Sequence, residues 1–284
     1  MIKLIECPRD AMQGIRQPIP IDLKIRYLRR LLDVGFDILD LASFVSPRAI
    51  PQMADTPEVL EGLADHPGST QWLVIVANRQ GAHRAMVYPR IDYLGYPFSL
   101  SETFMQRNAN RSIQQALDDL RQIQLWCREA GKSLVAYVSM GFGNPYGEAW
   151  SPELVVERVQ ELVDLGIQTI SLSDTVGTAH PDDIQHLFAH LQQEHPEVEW
   201  GAHFHARPDT WREKIQAAYE GGCRRFDGAL QGYGGCPMAE DELVGNIPTE
   251  KLVQWLEEQG QIHALDDAAL QDAQQLASQV FAYR

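Results

Sequence analysis

Only four cysteines occur, at positions 7, 127, 223 and 236, and no two of them form a CxxC pair. That count and scatter exclude a disulfide framework and a cysteine-based metal knuckle, and they point to a reducing, cytoplasmic setting. Basic residues are scarce: 24 Lys and Arg stand against 39 Asp and Glu, for a formal charge of −15. Nucleic-acid binding needs a basic footprint, so that class is set aside. No apolar run approaches the roughly 18 residues of a membrane span. The opening segment Met1-Ile2-Lys3-Leu4-Ile5-Glu6 reads as a strand, not as the apolar core of a signal peptide. No glycine-rich phosphate loop follows it; Cys7-Pro8-Arg9-Asp10 stands there, which weakens a dinucleotide-binding reading. No linker or compositional shift divides the 284 residues, so one catalytic domain over 1–284 is expected.

What the chain does have is alternation. Short β-branched runs at 3–7, 36–42, 71–77, 91–98, 133–140, 167–173, 198–204 and 223–229 are separated by longer amphipathic segments. Several runs follow a glycine (Gly35, Gly131, Gly166, Gly222), as a helix C-cap before a buried strand requires. Residues 21–34 place Leu23, Tyr27, Leu28, Leu31 and Leu32 on one stripe, and 112–130, 151–165, 181–193 and 209–221 behave similarly. Ser151-Pro152-Glu153 reads as an N-cap followed by proline at the first helical position. Strict strand–helix alternation means a parallel sheet, and eight units favour a closed (β/α)8 TIM barrel over an open sheet. The tail, about 249–284, reads as extra C-terminal helices on that barrel.

Barrel chemistry sits at the C-terminal ends of the strands. Taken in order, those ends carry Arg9 and Asp10; Asp40 and Ser43; Asn78 and Arg79; Ser99, Ser101 and Glu102; and Gly141 to Pro145. Ser173-Asp174-Thr175, His203-Phe204-His205, and Gly232-Tyr233-Gly234-Gly235-Cys236 with Asn246 complete the set. A purely structural barrel has no reason to gather titratable groups there.

In His203-Phe204-His205 the two imidazoles point to one face of a strand, because side chains alternate. Either nitrogen of each can ligate a divalent ion. Taken alone, the motif fits two hydrogen-bonded strand histidines equally well. Barrel closure makes the eighth strand neighbour the first, so Asp10 comes two strands from both histidines, and a third donor favours a metal. Amidohydrolase-type barrels place such a motif on the first strand with further histidines on later ones; here it is on the seventh. Cys236, in a glycine-flanked loop, is either a proton-transferring thiol near cationic groups or a small packing residue. Cys7, Cys127 and Cys223 read as buried hydrophobes. His66, His83, His180, His186, His190, His195 and His263 read as solvated or capping.

The ordered set resembles the 3-hydroxy-3-methylglutaryl-CoA lyases of the DRE-TIM metallolyase superfamily, from Pro8 to Glu250. The motifs that carry the resemblance begin with Pro8-Arg9-Asp10-x-x-Gln13, then Ser43-Phe44-Val45-Ser46-Pro47 with Pro51-Gln52-Met53-Ala54-Asp55. Ser101-Glu102-x-Phe104 with Asn108-x-Asn110-x-Ser112, Asp174-Thr175-x-Gly177 and His203-x-His205 follow. Gly234-Gly235-Cys236-Pro237-x-Ala239, Gly245-Asn246 and Thr249-Glu250 close the series. The resemblance implies Asp10, His203, His205 and Asn246 as ligands of Mg²⁺ or Mn²⁺, with other transition ions open. It further implies Arg9 as stabiliser of enolate charge, Cys236 as loop acid or base, and Asp174 and Asp40 as further pocket carboxylates. Gln13, Ser43, Asn78 and Glu102 are the expected substrate-binding residues.

The sequence departs from the family at Asp40, where these lyases usually carry Glu, and at Ala11, where Gly is usual. The loop from Cys236 to Asn246 is one residue longer, and Ala206-Arg207-Pro208-Asp209 after His205 is atypical. The implied activity is metal-assisted cleavage of an acyl-CoA substrate to acetyl-CoA and acetoacetate, with no organic cofactor. A condensing enzyme of the same barrel class acting on an oxo acid, or a metal-binding barrel without turnover, are the rivals. The oligomeric state stays open, a homodimer among the options.

Overall fold

In the computed structural model, residues 2–235, 244–261 and 264–283 are described. Eight parallel strands form its centre: β1 (Lys3–Glu6), β2 (Ile38–Ser43), β3 (Gln71–Ile75), β4 (Ile91–Ser99), β5 (Ser133–Ser139), β6 (Thr169–Asp174), β7 (Glu199–Ala206) and β8 (Arg225–Gly228). Each pairs with the next, and β8 pairs with β1, which closes the barrel. Helices α1 (Pro8–Gln13), α2 (Ile21–Val34), α3 (Thr56–Leu63), α4 (Arg79–Met86), α5 (Glu102–Ala109) and α6 (Ile113–Glu129) lie in the first half. The second half adds α7 (Pro152–Asp164), α8 (Pro181–Glu194), α9 (Trp211–Glu220), α10 (Thr249–Glu258) and α11 (Asp267–Val280). A two-residue strand, β9 (Gly245–Asn246), runs antiparallel to the end of β7. No described helix is long and apolar enough to cross a membrane.

Alternation decides which side chains fill which layer. Leu4 and Leu39 belong to the large outer core under the helices, while their neighbours Ile5 and Ile38 belong to a separate cluster inside the barrel. That inner cluster also takes Cys7, Leu73, Ile75, Tyr93, Val135 and Tyr137. Lower down the filling turns polar. Arg225 is completely buried, donates to Glu199 at 3.4 Å and lies 5.9 Å from the Tyr93 ring. Gly201 makes room for it: a Cβ there would sit 3.0 Å from Arg225 Cδ and 2.9 Å from Ser171 Oγ.

The expected strands and helices recur with shifts of a few residues at their ends. Two elements carry no periodic signal. Helix α1 has six residues, too few to show a 3.6-residue period, and begins at Pro8. Strand β9 forms because residues 245–246 cross the barrel mouth beside His205. In the tail, α10 takes the place of the eighth barrel helix. Helix α11 packs along α2, with Asp266 N–H donating to Val34 O at 2.9 Å and Phe281 edge-on to Tyr27. The motif at 51–55 proves to be a clamp. Buried Gln52 accepts from Ile19 N–H and donates to the carbonyls of Ile15 and Gln17, while Lys24 donates to Gln52 O and Asp55. This fixes the connection from α1 to α2. His180 is the N-cap of α8, as a capping role requires, whereas His66 is buried against Asp33 at 2.9 Å.

Glu6 ends β1 fully buried and accepts from Leu230 N–H and Thr249 Oγ1. Burial pushes its carboxyl up from 4.5 to about 8, despite those hydrogen bonds. Between those values the folded state holds a proton that the unfolded chain releases, so this contribution is present at low pH and lost as pH rises. Glu6→Gln should therefore lose less stability than wild type as pH rises from about 5 to about 8 in urea titrations. Parallel losses in both proteins would show that Glu6 does not titrate in this window.

Candidate active site

The mouth of the barrel opens into a cavity with a mixed lining. Arg9, Asp10, Gln13, His203, His205, Ser139, Ser173 and Thr175 supply its polar groups; Val45, Ala49, Ile50, Ile75, Ala77, Pro97 and Phe104 supply its apolar ones. Arg107, Asn108 and Tyr137 also line it. Helix α1 supplies three of the polar groups. One helical turn after β1 places Arg9, Asp10 and Gln13 close together, and all three are joined. Arg9 Nη1 donates to Asp10 Oδ1 at 3.1 Å and to Gln13 Oε1 at 3.0 Å, and Gln13 Nε2 donates to Asp10 Oδ1 at 2.8 Å. Asp40 grips the guanidinium from β2, accepting from Nε at 3.1 Å and from Nη2 at 2.5 Å. The carboxylate, one methylene shorter than the family's usual Glu, thus reaches Arg9 in full.

These are buried charges, and each is held by another. Burial would raise Asp10, but Arg9 and the two imidazoles keep it below the ordinary carboxyl value. Burial raises Asp40 to about 6, even against Arg9. Arg9, between two carboxylates, is held charged despite its burial.

The histidines are where alternation puts them, on the inner face of β7, with ring centroids 5.3 Å apart. Ligand atoms of Asp10, His203 and His205 all lie within 4.8 Å of one another. His203 Nδ1 sits 3.0 Å from Asp227 Oδ2, which leaves Nε2 for the cluster. Burial lowers His203, but the Asp227 hydrogen bond and charge outweigh it and the net shift is upward. For His205 burial dominates and takes it down to about 4, so it is a neutral imidazole. Its Nδ1 is buried with no hydrogen-bond partner. Two imidazoles and an ionised carboxylate, one of them with an unspent buried nitrogen, fit a divalent cation. Cys7 lies near His203 and Asp227, but burial and the surrounding carboxylates raise its thiol well above the ordinary range and leave it a poor ligand.

The remaining expected residues are placed as follows. Asn246, on β9, reaches Asp10 through its amide nitrogen, donating to Asp10 Oδ2 and to Tyr233 O, both at 2.8 Å. Gly234 packs against that amide: at φ +104° it has no Cβ, and one built there would lie 2.4 Å from Asn246 Nδ2. Asp174 is buried but does not line the cavity. Its carboxylate takes Thr178 N–H, Ala179 N–H and the Lys214 ammonium, the last at 2.6 Å. Ser43 accepts from Val45 N–H, Asn78 caps α4, and Glu102 accepts from Ile113 N–H between α5 and α6; none of the three lines the cavity. Cys236 lies outside the described residues. Sequence reasoning passed over Asp227. Its position two residues after Arg225 on an inward-facing row was the available signal.

Asp227 accepts the Nδ1 proton of His203 and so selects the tautomer whose Nε2 is a free ligand. Asp227→Asn keeps the shape and loses the charge. It should weaken Mn²⁺ binding by roughly 10–100-fold with unchanged circular dichroism. Wild-type affinity in calorimetric titration would remove Asp227 from the centre.

Comparison with known proteins agrees with this geometry. The HMGL-like family model matches residues 2–277. The human cytoplasmic 3-hydroxy-3-methylglutaryl-CoA lyase is 32% identical over 256 residues, covering 90% of this chain and 68% of that protein. Hydroxymethylglutaryl-CoA lyase of Pseudomonas mevalonii is 33% identical over 259 residues, 90% of this chain and 84% of that one. Among solved structures, an HMG-CoA lyase from Acinetobacter baumannii in complex with coenzyme A and 3-methylmalate superposes with a TM-score of 0.91 at 32% identity, over 99% of this chain and 92% of the other. Fold, motif order and sequence lead to one assignment: this chain belongs to the HMGL-like family, the family of the 3-hydroxy-3-methylglutaryl-CoA lyases.

Proposed function

We propose that the protein is a metal-dependent carbon–carbon lyase that cleaves 3-hydroxy-3-methylglutaryl-CoA, or a closely related 3-hydroxyacyl-CoA, to acetyl-CoA and acetoacetate. The observation that carries this reading is the convergence of Asp10, His203 and His205 beside the Arg9 guanidinium, in the lining of one partly apolar cavity. Metal binding alone has no use for Arg9. The complex of the Acinetobacter relative with coenzyme A and 3-methylmalate supports an acyl-CoA ligand here.

Asp10, His203 and His205 would hold the ion, with the Asn246 amide beside Asp10 as the fourth member of the set. Mg²⁺ or Mn²⁺ suits these donors, and when bound it supplies Lewis acidity that acidifies and orients the tertiary hydroxyl of the substrate. The rest is done by the chain. The hydroxyl proton leaves to a base, the C2–C3 bond breaks, the former hydroxyl oxygen becomes the ketone of acetoacetate, and the electron pair passes into the thioester enolate. Arg9, aligned by Asp40, faces that developing charge. Cys236 returns a proton to the enolate carbon. Apolar lining residues such as Ile75 and Phe104 keep water from the enolate. Gln13 is the expected substrate contact that lines the cavity. Asp174 serves from outside it. Cys7, Cys127 and Cys223 are buried and unpaired, which supports a reducing, cytoplasmic compartment.

Purified protein with Mn²⁺ should release acetyl-CoA from 3-hydroxy-3-methylglutaryl-CoA, and His203→Ala should lose both the ion and the activity while remaining folded. An unchanged metal content in that variant would sink the site assignment, and a metal-loaded wild type inert toward 3-hydroxyacyl-CoA thioesters would sink the lyase reading.

Arg9→Met removes the charge and keeps much of the stem. Loss of one such electrostatic donor should cost roughly 10²–10³-fold in kcat with the ion still bound. An unaffected kcat would make Arg9 an internal counter-ion for Asp10 and Asp40 only.

A further inference from the structure

The two histidines are oriented by different means. His203 is fixed through its ring, by Asp227. No side chain holds the His205 Nδ1 in this way; the ring meets the backbone at Gly245, so its direction follows from the end of β7 and the β9 strand beside it. Two features hold that backbone. One is the pairing with Asn246 in β9. The other is Lys214, on α9.

Lys214 is 2% exposed. Its ammonium donates to Asp174 Oδ2 at 2.6 Å, to the Gly177 carbonyl at 2.8 Å and to the His205 carbonyl at 3.5 Å. It therefore joins the loop after β6, the end of β7 and helix α9 at a single nitrogen. The loop is shaped to be held so. Asp174 accepts from the backbone of Thr178 and Ala179, and Gly177 turns at φ +73° with its Cβ position 3.3 Å from His205 O. Thr175 of the same loop lines the cavity and accepts from Met140 N–H at 2.8 Å.

We propose that Lys214 is a positioning residue for the metal centre: its ammonium, shared among Asp174 and the carbonyls of Gly177 and His205, fixes the end of β7 and with it the His205 imidazole. Asp174 acts through this clamp. The buried pair is an expensive device for stability alone, since an apolar pair of equal volume would serve as well. It does supply three directed hydrogen bonds at one place, which an apolar pair cannot. The inference rests on the reading of His205 as a metal ligand.

The test uses Mn²⁺ alone as probe, titrated calorimetrically into metal-free wild type, Lys214→Met, and the double variant Lys214→Met with Asp174→Asn. Lys214→Met strands a buried carboxylate and should lower both thermal midpoint and Mn²⁺ affinity, the latter about tenfold, in the range of lost outer-shell partners. The double variant removes the stranded charge. It should regain the thermal midpoint but keep the weakened Mn²⁺ affinity, and its kcat should fall more than its KM changes. Wild-type affinity in folded Lys214→Met, or recovery of affinity together with stability in the double variant, would overturn the proposal and leave Lys214 a counter-ion of Asp174. His203→Ala is the separate control. If it binds Mn²⁺ normally, the metal assignment fails whatever the Lys214 variants do.

Discussion

Closure of β1 onto β8 is the constraint on which the site depends. The pairing of Lys3 with Arg225 through Glu6 with Gly228 sets where α1 begins above the barrel rim. Since β8 also pairs with β7, Asp10 arrives opposite His203 and His205, which are far away in sequence. A slip of one residue would reverse inside and outside along β1 and carry Asp10 away. Packing pins that register: Ile5 and Cys7 enter the inner cluster while Leu4 packs outward, so a slipped strand would bury nothing correctly.

Once the register is set, the problem becomes electrostatic. Arg9, Asp10, Asp40 and Asp227 are each at most 6% exposed, and an isolated ion in such a place is prohibitively costly. The solution is a chain of mutual compensation. Asp40 and Asp10 share Arg9, Asn246 and Gln13 occupy further lone pairs of Asp10, and Asp227 takes a ring proton of His203. A neutral His205 stands beside an ionised Asp10, an arrangement that places electron-rich donors together and is able to hold a divalent cation. The same burial that makes the network costly makes it rigid, because Arg9, Asp10, Asp40 and His203 are each held by at least one named partner.

How much of this was legible beforehand follows from what a linear pattern can carry. The barrel was legible because eight strand–helix units repeat a strong periodic signal. His203 and His205 were legible because the two-residue period of a strand puts i and i+2 on one face, and Asp10 because closure is a topological consequence of the repeat. What the pattern could not carry were helices shorter than two turns and pairings set by tertiary distance. Thus α1 and β9 went unseen, and Asp227 was missed although it is the ring partner of His203. Polar residues at strand ends were also over-read. Ser43, Asn78 and Glu102 are spent on turns and helix caps, roles for which the same residue types are favoured.

Asp174 shows why strand-end position alone cannot separate chemistry from scaffolding. It ends β6 as the expected pocket carboxylate should, yet its neighbours Ser173 and Thr175 face the cavity while its own oxygens are filled by two backbone N–H groups and an ammonium from α9. Strand alternation sets its direction, since Ser173 and Thr175 face the cavity and Asp174 between them faces out, and Lys214, forty residues later on α9, meets it there. A carboxylate at a barrel rim therefore has two ways to serve a metal centre, as a ligand or as an anchor for the backbone beneath one. The difference lies in which face of the strand it takes, the cavity side where a metal would bind or the helix side where the Lys214 ammonium lies.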